Sequence, residues 1–200
     1  GITTWSNINL RIRNSKVEGY KNRGITLQGG SVMNGENLTI DGSYSGATTE
    51  EQGLRMWGGA VAYVKNLTIT NNQKFGLTMW LSDIEIKENV ILTGNGRAIN
   101  VGKGAAFTSN ANINISGSTD RAISVSQQGL FKQWDGTISI TNTSGGIQAG
   151  MGSSLNIRNI NITNIQDDGI SLWGAKAQID NATITGSAKA GIRVNNGMLS

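Results

Sequence analysis

A short phrase recurs along this chain of 200 residues at an almost constant interval, and it restricts the fold more than any other feature. Most copies have Gly or Ala followed by an apolar, a polar and a second apolar residue. The copies begin at Gly1, Gly24, Gly53, Gly76, Ala98, Ala122, Gly146, Gly169 and Gly191. Their starts are 23, 29, 23, 22, 24, 24, 23 and 22 residues apart, which gives eight full units and the beginning of a ninth.

Within each unit the apolar residues alternate with polar ones at a period of two, which is typical of β-strands. A unit of this size cannot bury its apolar face alone, but stacked units share a continuous core with about 4.8 Å between copies. The sequence therefore predicts one all-β domain over residues 1–200, a parallel β-helix with three short strands per coil and about eight coils. Residues 41–52 form the single insertion, and they are a candidate wall for a shallow site beside Trp57.

One polar position marks a column of asparagines in seven of the eight units. Its members are Asn14, Asn37, Asn66, Asn89, Asn112, Asn159 and Asn181. Asn tolerates the left-handed backbone that a sharp bend requires, and stacked amides can bond to one another along the axis. We expect an internal asparagine ladder at this bend. Three members, Asn37, Asn66 and Asn181, also match the glycosylation acceptor pattern, but as ladder residues they should face the interior and stay unmodified.

Composition excludes several classes of site. The chain contains no Cys and no His, so it lacks thiolate and imidazole metal ligands, disulfides and the commonest general base. We expect no metal and no cofactor. The 17 basic residues are scattered, which gives no support for nucleic-acid binding. No apolar run approaches the length of a membrane span, so we expect no membrane insertion in this segment.

The repeats and the asparagine column resemble the right-handed parallel β-helix superfamily, the pectate-lyase-like proteins. The repeated sequence pattern of the coils is similar to that of autotransporter adhesin passenger rods of the pertactin type. This resemblance implies an extracellular rod at the cell surface, anchored to the outer membrane through parts outside this chain, that binds glycans or proteins or self-associates. Because the chain starts and stops within a unit, we expect an interior slice of a longer rod.

Two other functions stay open. A phage tailspike β-helix would bind and depolymerise bacterial polysaccharide. A secreted pectinase-like glycoside hydrolase would use Asp167 and Asp168, since the polygalacturonase-like family carries an aspartate pair just before the same strand. Such chemistry needs further acids or bases on neighbouring coils. The aligned residues there are Ser144, Gly145, Lys189 and Ala190, so we expect a protein that is not an enzyme.

Four of the five tryptophans share one outward position of the repeat. The residues at that position are Trp5, Gln28, Trp57, Trp80, Gly102, Ser126, Gly150, Trp173 and Asn195. Flat indole faces on a rigid scaffold can stack on sugars, and neighbouring polar side chains can donate and accept hydrogen bonds. The candidate ligand-binding residues are Trp57, Trp80, Arg55, Thr78 and Asn100. Alternatively, the indoles anchor a protein interface or cap the edge of the core.

Two further expectations concern single residues. Arg97 and Arg121 occupy equivalent positions on adjacent coils, where they are candidates for holding an anionic group such as a uronate or sulfate. Asp120 is placed to neutralise them. Trp134 lies in the one coil that breaks the asparagine column, and we expect it to be packed.

Overall fold

The fold consists of β-strands, turns and bends. In this computed structural model, residues 1–43 and 50–200 are described. The strands of the described residues are β1 (Ile2–Thr3), β2 (Asn9–Glu18), β3 (Arg23–Gln28), β4 (Val32–Asp41), β5 (Gln52–Trp57), β6 (Val61–Thr70), β7 (Phe75–Trp80), β8 (Asp83–Thr93), β9 (Arg97–Gly102), β10 (Ala106–Ser109), β11 (Asn112–Ser116), β12 (Arg121–Val125), β13 (Leu130–Gln133), β14 (Ile138–Thr143), β15 (Gly145–Gly150), β16 (Ser154–Ile165), β17 (Ile170–Trp173), β18 (Lys176–Ser187), β19 (Ile192–Asn195) and β20 (Met198–Leu199). Among these residues there is no helix of sufficient length and apolarity to cross a membrane.

The strands pair only in parallel, each with the equivalent strand of the next coil. Sheet 1 contains β1, β3, β5, β7, β9, β12, β15, β17 and β19 in that order, and sheet 2 contains the remaining described strands. Crossovers between parallel strands are right-handed in about 98% of cases, and the chain forms a right-handed parallel β-helix of about eight turns. The predicted fold class is therefore confirmed.

The second and third predicted strands of a coil are continuous in most coils. Strand β4 pairs with β6 from Val32 to Glu36 and again from Leu38 to Asp41. The backbone of Asn37, between the two segments, takes no part in this strand pairing. The chain bends there because Asn37 has a φ of 51°, and Asn14 and Asn66 have φ values of 46° and 54°. In β8 an extra residue interrupts the register, and Glu88 adopts the left-handed conformation instead of Asn89.

The asparagine ladder forms, but the prediction that it is internal is wrong. The Nδ2 group of Asn37 donates to Asn14 Oδ1 at 2.7 Å, and Asn66 and Asn89 continue the series at 3.0 and 3.1 Å. Farther along the rod, Asn181 donates to Asn159 at 3.0 Å, and Asn112 accepts from the backbone N–H of Thr137. These side chains are exposed or half-buried, because the apolar residues on either side of the bend fill its inner surface.

The correction extends to the three possible glycosylation acceptors. Asn37 and Asn181 are exposed and Asn66 is half-buried, so none of them faces the interior as predicted. Their amides are instead engaged in the axial hydrogen bonds of the ladder. Burial is therefore not what would keep these residues unmodified.

A second pair of stacked amides lies inside the rod and was not predicted. Asn72 and Asn95 are fully buried one coil apart, and Asn72 Nδ2 donates to Asn95 Oδ1 at 3.1 Å. The Tyr20 hydroxyl donates to Asn72 Oδ1 at 2.6 Å, and Asn95 Nδ2 donates to the backbone oxygen of Ile69 at 3.0 Å. These bonds satisfy polar groups that would otherwise be costly to bury.

The core consists of columns of identical or similar side chains. The first inward column of sheet 1 holds buried aliphatic residues in seven successive coils: Ile25, Leu54, Leu77, Ile99, Ile123, Ile147 and Ile170. Phe107 and Phe131 stack with their ring centroids 4.6 Å apart and their planes 2° from parallel. This separation is close to the spacing of the strands, so the ladder itself sets the aromatic contact.

The glycine that opens most repeats lies where a side chain would collide with the neighbouring coil. A Cβ atom at Gly146 would lie 1.9 Å from the backbone oxygen of Gly169, and one at Gly53 would lie 2.6 Å from the backbone oxygen of Gly76. The coils that begin at Ala98 and Ala122 accommodate a buried methyl group at the same position. The repeat therefore requires a small residue here for steric reasons.

We expect Gly146→Ala to lower the free energy of unfolding by about 1–3 kcal/mol, because the opposing backbone oxygen cannot move without breaking the ladder. The matched control is Gly35→Ala, also buried in a strand. Its Cβ would meet only methyl groups of Val64 and Leu38, at 3.4 Å or more. The control should be neutral or stabilising by about 0.4–1 kcal/mol. Urea unfolding measures both, and equal losses would contradict the steric explanation.

Glu51 is a fully buried carboxylate at the start of the coil that contains β5. Burial raises its pKa above the ordinary value of 4.5, and the charge of Asp41 acts in the same direction, while the backbone N–H of Gln73 opposes them. Its other oxygen, Oε1, has no hydrogen-bond partner among the described residues. The charged form is therefore less well accommodated in the folded protein than in water.

The folded state holds the Glu51 proton more tightly than the unfolded chain does. Stability is therefore expected to fall as pH rises from the ordinary value of 4.5 through the folded pKa, and to stay lower above it. In Glu51→Gln this contribution is absent, so the variant should gain stability relative to the wild type across that window. Urea unfolding from about pH 4 to about pH 8 tests this. The exposed neighbour variant Glu50→Gln should not reproduce the gain.

Candidate functional site

The outer face of sheet 1 presents three rows of side chains that run along the axis of the rod. The first row contains Arg23, Gln52, Phe75, Arg97, Arg121 and Gly145. The middle row contains Thr26, Arg55, Thr78, Asn100, Ser124, Gln148, Ser171 and Arg193. The third row contains Gln28, Trp57, Trp80, Gly102, Gly150, Trp173 and Asn195. Equivalent residues are neighbours because the strands are in register.

Most of the middle row forms a buried floor between the two larger outer rows. Thr26, Thr78, Asn100, Ser124 and Ser171 are all buried although they face away from the core. Asn100 Nδ2 donates to Thr78 Oγ1 at 3.2 Å, and Arg97 Nη1 donates to Asn100 Oδ1 at 3.1 Å. The predicted ligand-binding residues Thr78 and Asn100 thus lie together, but they bond to each other and offer little free surface.

Trp57 and Trp80 are adjacent, as the repeat predicts, but cations cover part of their indole rings. The Arg55 guanidinium carbon lies 5.5 Å from the Trp57 ring centroid and 5.7 Å from that of Trp80. The Lys103 ammonium lies 5.3 Å from the Trp80 ring on the side of the next coil. These are cation–π contacts, so Trp80 is half-buried between two cations and Trp57 keeps 40% of its surface exposed.

Trp173 differs from these two tryptophans because no described cation lies over its ring. It is 50% exposed, and its Nε1 group donates to Ser171 Oγ at 2.7 Å. This bond satisfies the polar edge of the indole and fixes its orientation, which leaves the apolar faces available. Trp173 is therefore the third-row residue best placed for stacking on a ligand.

A cavity lies on each side of Trp173. The first, of about 170 Å³, is lined by polar groups that include Arg121, Gln148, Asp167, Lys189 and Arg193. The second, also of about 170 Å³, is lined by smaller residues, Ser124, Ser126, Gln148, Gly150 and Met151 among them. An apolar ring between a polar depression and a mainly apolar one that contains hydroxyl and amide groups has the chemistry of a carbohydrate subsite.

Asp167 and Asp168 lie in the first cavity, and both are engaged in ion pairs. Lys189 Nζ lies 2.8 Å from Asp167, and Arg121 lies 3.9 Å from it. The hydrogen bond from Lys189 is the main reason why the pKa of Asp167 is lowered. Asp168 accepts from Arg193 Nη2 at 3.0 Å and from the backbone N–H of Ala190 at 3.1 Å. A general acid requires a raised pKa, so these contacts favour charge pairing over acid catalysis.

Arg97 and Arg121 are neighbours as predicted, and Asp120 bridges them. The Nε group of Arg97 donates to Asp120 Oδ2 at 3.0 Å, and Arg121 Nη1 donates to Oδ1 of the same carboxylate at 3.1 Å. Arg121 also contacts Asp167. An anion at this position would have to compete with Asp120, so the pair is poorly suited to the role for which the sequence made it a candidate.

Trp5, predicted for the same row, is 75% exposed and follows β1 outside the paired residues of sheet 1, and another exposed indole lies away from that sheet. Trp134 is 57% exposed on sheet 2, beneath the Lys132 ammonium at 3.2 Å from its ring centroid, so the prediction that it is packed is wrong. Of the inserted residues 41–52, residues 44–49 lie outside the described part of the chain. The described residues contain no group of three or more acidic side chains that could hold a metal ion.

Comparison with known proteins assigns no function. No protein family matches the chain, and no curated protein is significantly similar to it.

Proposed function

We propose that this chain is part of an extracellular rod of an adhesin, displayed at a cell surface, and that it binds glycans through the outer face of sheet 1. The observation that carries the proposal is the exposed, oriented indole of Trp173 between a polar cavity and a second, mainly apolar cavity that contains the polar groups of Ser124, Ser126 and Gln148. The ring supplies the apolar surface on which the CH face of a sugar stacks. Gln148 and Ser124 supply groups for the sugar hydroxyls on either side.

The proposal places the ligand at a different part of the tryptophan row than the sequence suggested. Trp57 and Trp80 already have cations over their rings, so a sugar would have to displace Arg55 or Lys103 to stack there. At Trp173 no such displacement is needed. The remaining polar groups of the cavity are held in place by ion pairs, which lowers the entropic cost of binding.

A binding role also fits the state of the two aspartates better than hydrolysis does. Both carboxylates accept hydrogen bonds from cations, and the pKa of Asp167 is lowered. A hydrolase needs one carboxylic acid that retains its proton near neutral pH. A rod that is rigid along its axis and carries its binding groups on one face is suited to presenting an adhesive surface away from a cell.

The test is a glycan array with the wild-type protein, followed by calorimetric titration of the best ligand into variants. We expect Trp173→Ala to weaken binding at least about tenfold, because an anchoring aromatic residue typically contributes more than 1 kcal/mol. Trp134→Ala removes an equally exposed indole from sheet 2 and should leave affinity unchanged. Loss of binding in Trp57→Ala/Trp80→Ala with full binding in Trp173→Ala would show that the site is misplaced.

Hydrolysis is tested with the same protein. Incubation with polygalacturonan is expected to release no reducing ends, because both carboxylates are paired with cations and the pKa of Asp167 is lowered. Release that disappears in Asp168→Asn and persists in Asp180→Asn, an exposed carboxylate on sheet 2, would establish the hydrolase instead.

A further inference from the structure

Arg23 and Arg55 lie near the end of sheet 1 that is opposite to Trp173. Neither has a carboxylate partner among the described residues. Arg23 and Gln52 are paired in register, and so are Thr26 and Arg55. Arg23 and Arg55 are therefore diagonal neighbours on adjacent coils, and the charge of Arg23 adds to the effect of burial in lowering the pKa of Arg55. Among the described residues, neither forms an ion pair. The six residues 44–49 contain no Asp or Glu.

Most other arginines of the chain are neutralised. The members that lie within 4 Å of a carboxylate are Arg13, Arg97, Arg121, Arg158 and Arg193. Two like charges held together repel each other, so their proximity costs stability unless an anion lies between them. The Arg23–Arg55 pair is therefore unusual within this protein.

Three hydrogen-bonding atoms around this pair are buried and have no partner in the described part of the chain. They are Thr26 Oγ1, Gln52 Oε1 and Arg55 Nε. Thr26 is 2% exposed and Gln52 is 5% exposed, although both lie in outward-facing rows of sheet 1. The outward direction of the Gln52 row follows from Arg97 of the same row, which donates to the middle-row residue Asn100. A buried polar group without a partner destabilises the protein, and a ligand that bonds to it would remove that cost.

The Arg55 side chain is already held in position by its neighbours. Its guanidinium lies over both Trp57 and Trp80, at 5.5 and 5.7 Å from the ring centroids. Stacking of this kind fixes the planar group but leaves its N–H edges free to donate. Because this side chain is already ordered in the free protein, ligand binding causes a smaller loss of conformational entropy.

We propose that Arg23, Arg55, Thr26 and Gln52 form a binding site for an oxyanion, the sulfate, phosphate or carboxylate group of a ligand. Two guanidinium groups supply the charge, the Thr26 hydroxyl donates a hydrogen bond, and the Gln52 amide turns its NH₂ group toward the anion. The exposed Arg23 side chain moves to admit the ligand. The site is five coils from Trp173, about 24 Å along the axis, so it does not rest on the proposed glycan subsite.

The experiment is an NMR titration of the arginine Nε–H signals, with sodium sulfate, sodium phosphate and sodium glucuronate as separate probes at ionic strength matched with sodium chloride. We expect the Arg55 signal to shift and saturate with at least one probe, and the ranking of the three to identify the anion. In Arg23→Gln the affinity should fall at least about tenfold, because a charge-assisted contact is lost. Thr26→Val should weaken binding without any change in charge.

Two controls separate this site from its alternatives. Arg97→Gln removes a neutralised arginine from the same face and should leave the titration unchanged. Trp173→Ala should also leave it unchanged, so the anion result does not depend on whether the glycan proposal holds. The proposal is overturned if none of the three anions gives a saturable Arg55 shift, or if Arg23→Gln, shown to be folded by circular dichroism, titrates as the wild type does.

Discussion

The parallel hydrogen-bond ladder between successive coils is the interaction on which the rest of this structure depends. It fixes the coils about 4.8 Å apart and keeps the paired strand residues in register, so their side chains lie directly above their equivalents in the previous unit. This one constraint produces the aliphatic columns, the Phe107–Phe131 stack and the requirement for Gly or Ala at the start of each repeat. It also means that a favourable or unfavourable contact at one position tends to be repeated along the rod.

Stacking in register has opposite consequences for apolar and for charged residues. Apolar columns gain burial at each step, whereas equal charges would repel at the same spacing. Sheet 1 avoids this by alternation: Asp120 lies between Arg97 and Arg121, and Arg55 lies against indole rings instead of a second cation in its own row. The Arg23–Arg55 pair is the place on this face where the alternation is missing. Functional sites are expected at positions that break a stabilising pattern followed elsewhere in the structure.

The repeat in the sequence was sufficient to predict the fold class, the number of coils and which residues share a row. It also brought Trp57 next to Trp80 and Arg97 next to Arg121. The repeat did not predict whether a polar column faces the core or the solvent. The asparagine ladder, predicted to be internal, is at the surface, and the buried amides are those of Asn72 and Asn95. Both columns recur at the coil interval, so periodicity alone cannot distinguish them. The position of the bend relative to the core decides it.

The sequence by itself determined the architecture, because a period of 22 to 24 residues with alternating apolar positions can bury its core only by coiling upon itself. Only the tertiary structure decided how available each outward side chain is. Trp57, Trp80 and Trp173 are equivalent in the repeat, yet cations from adjacent rows and coils lie over part of the first two rings, and no described cation lies over the third. Accessibility depends on the length and direction of side chains in adjacent rows, and these vary freely while the backbone ladder stays the same.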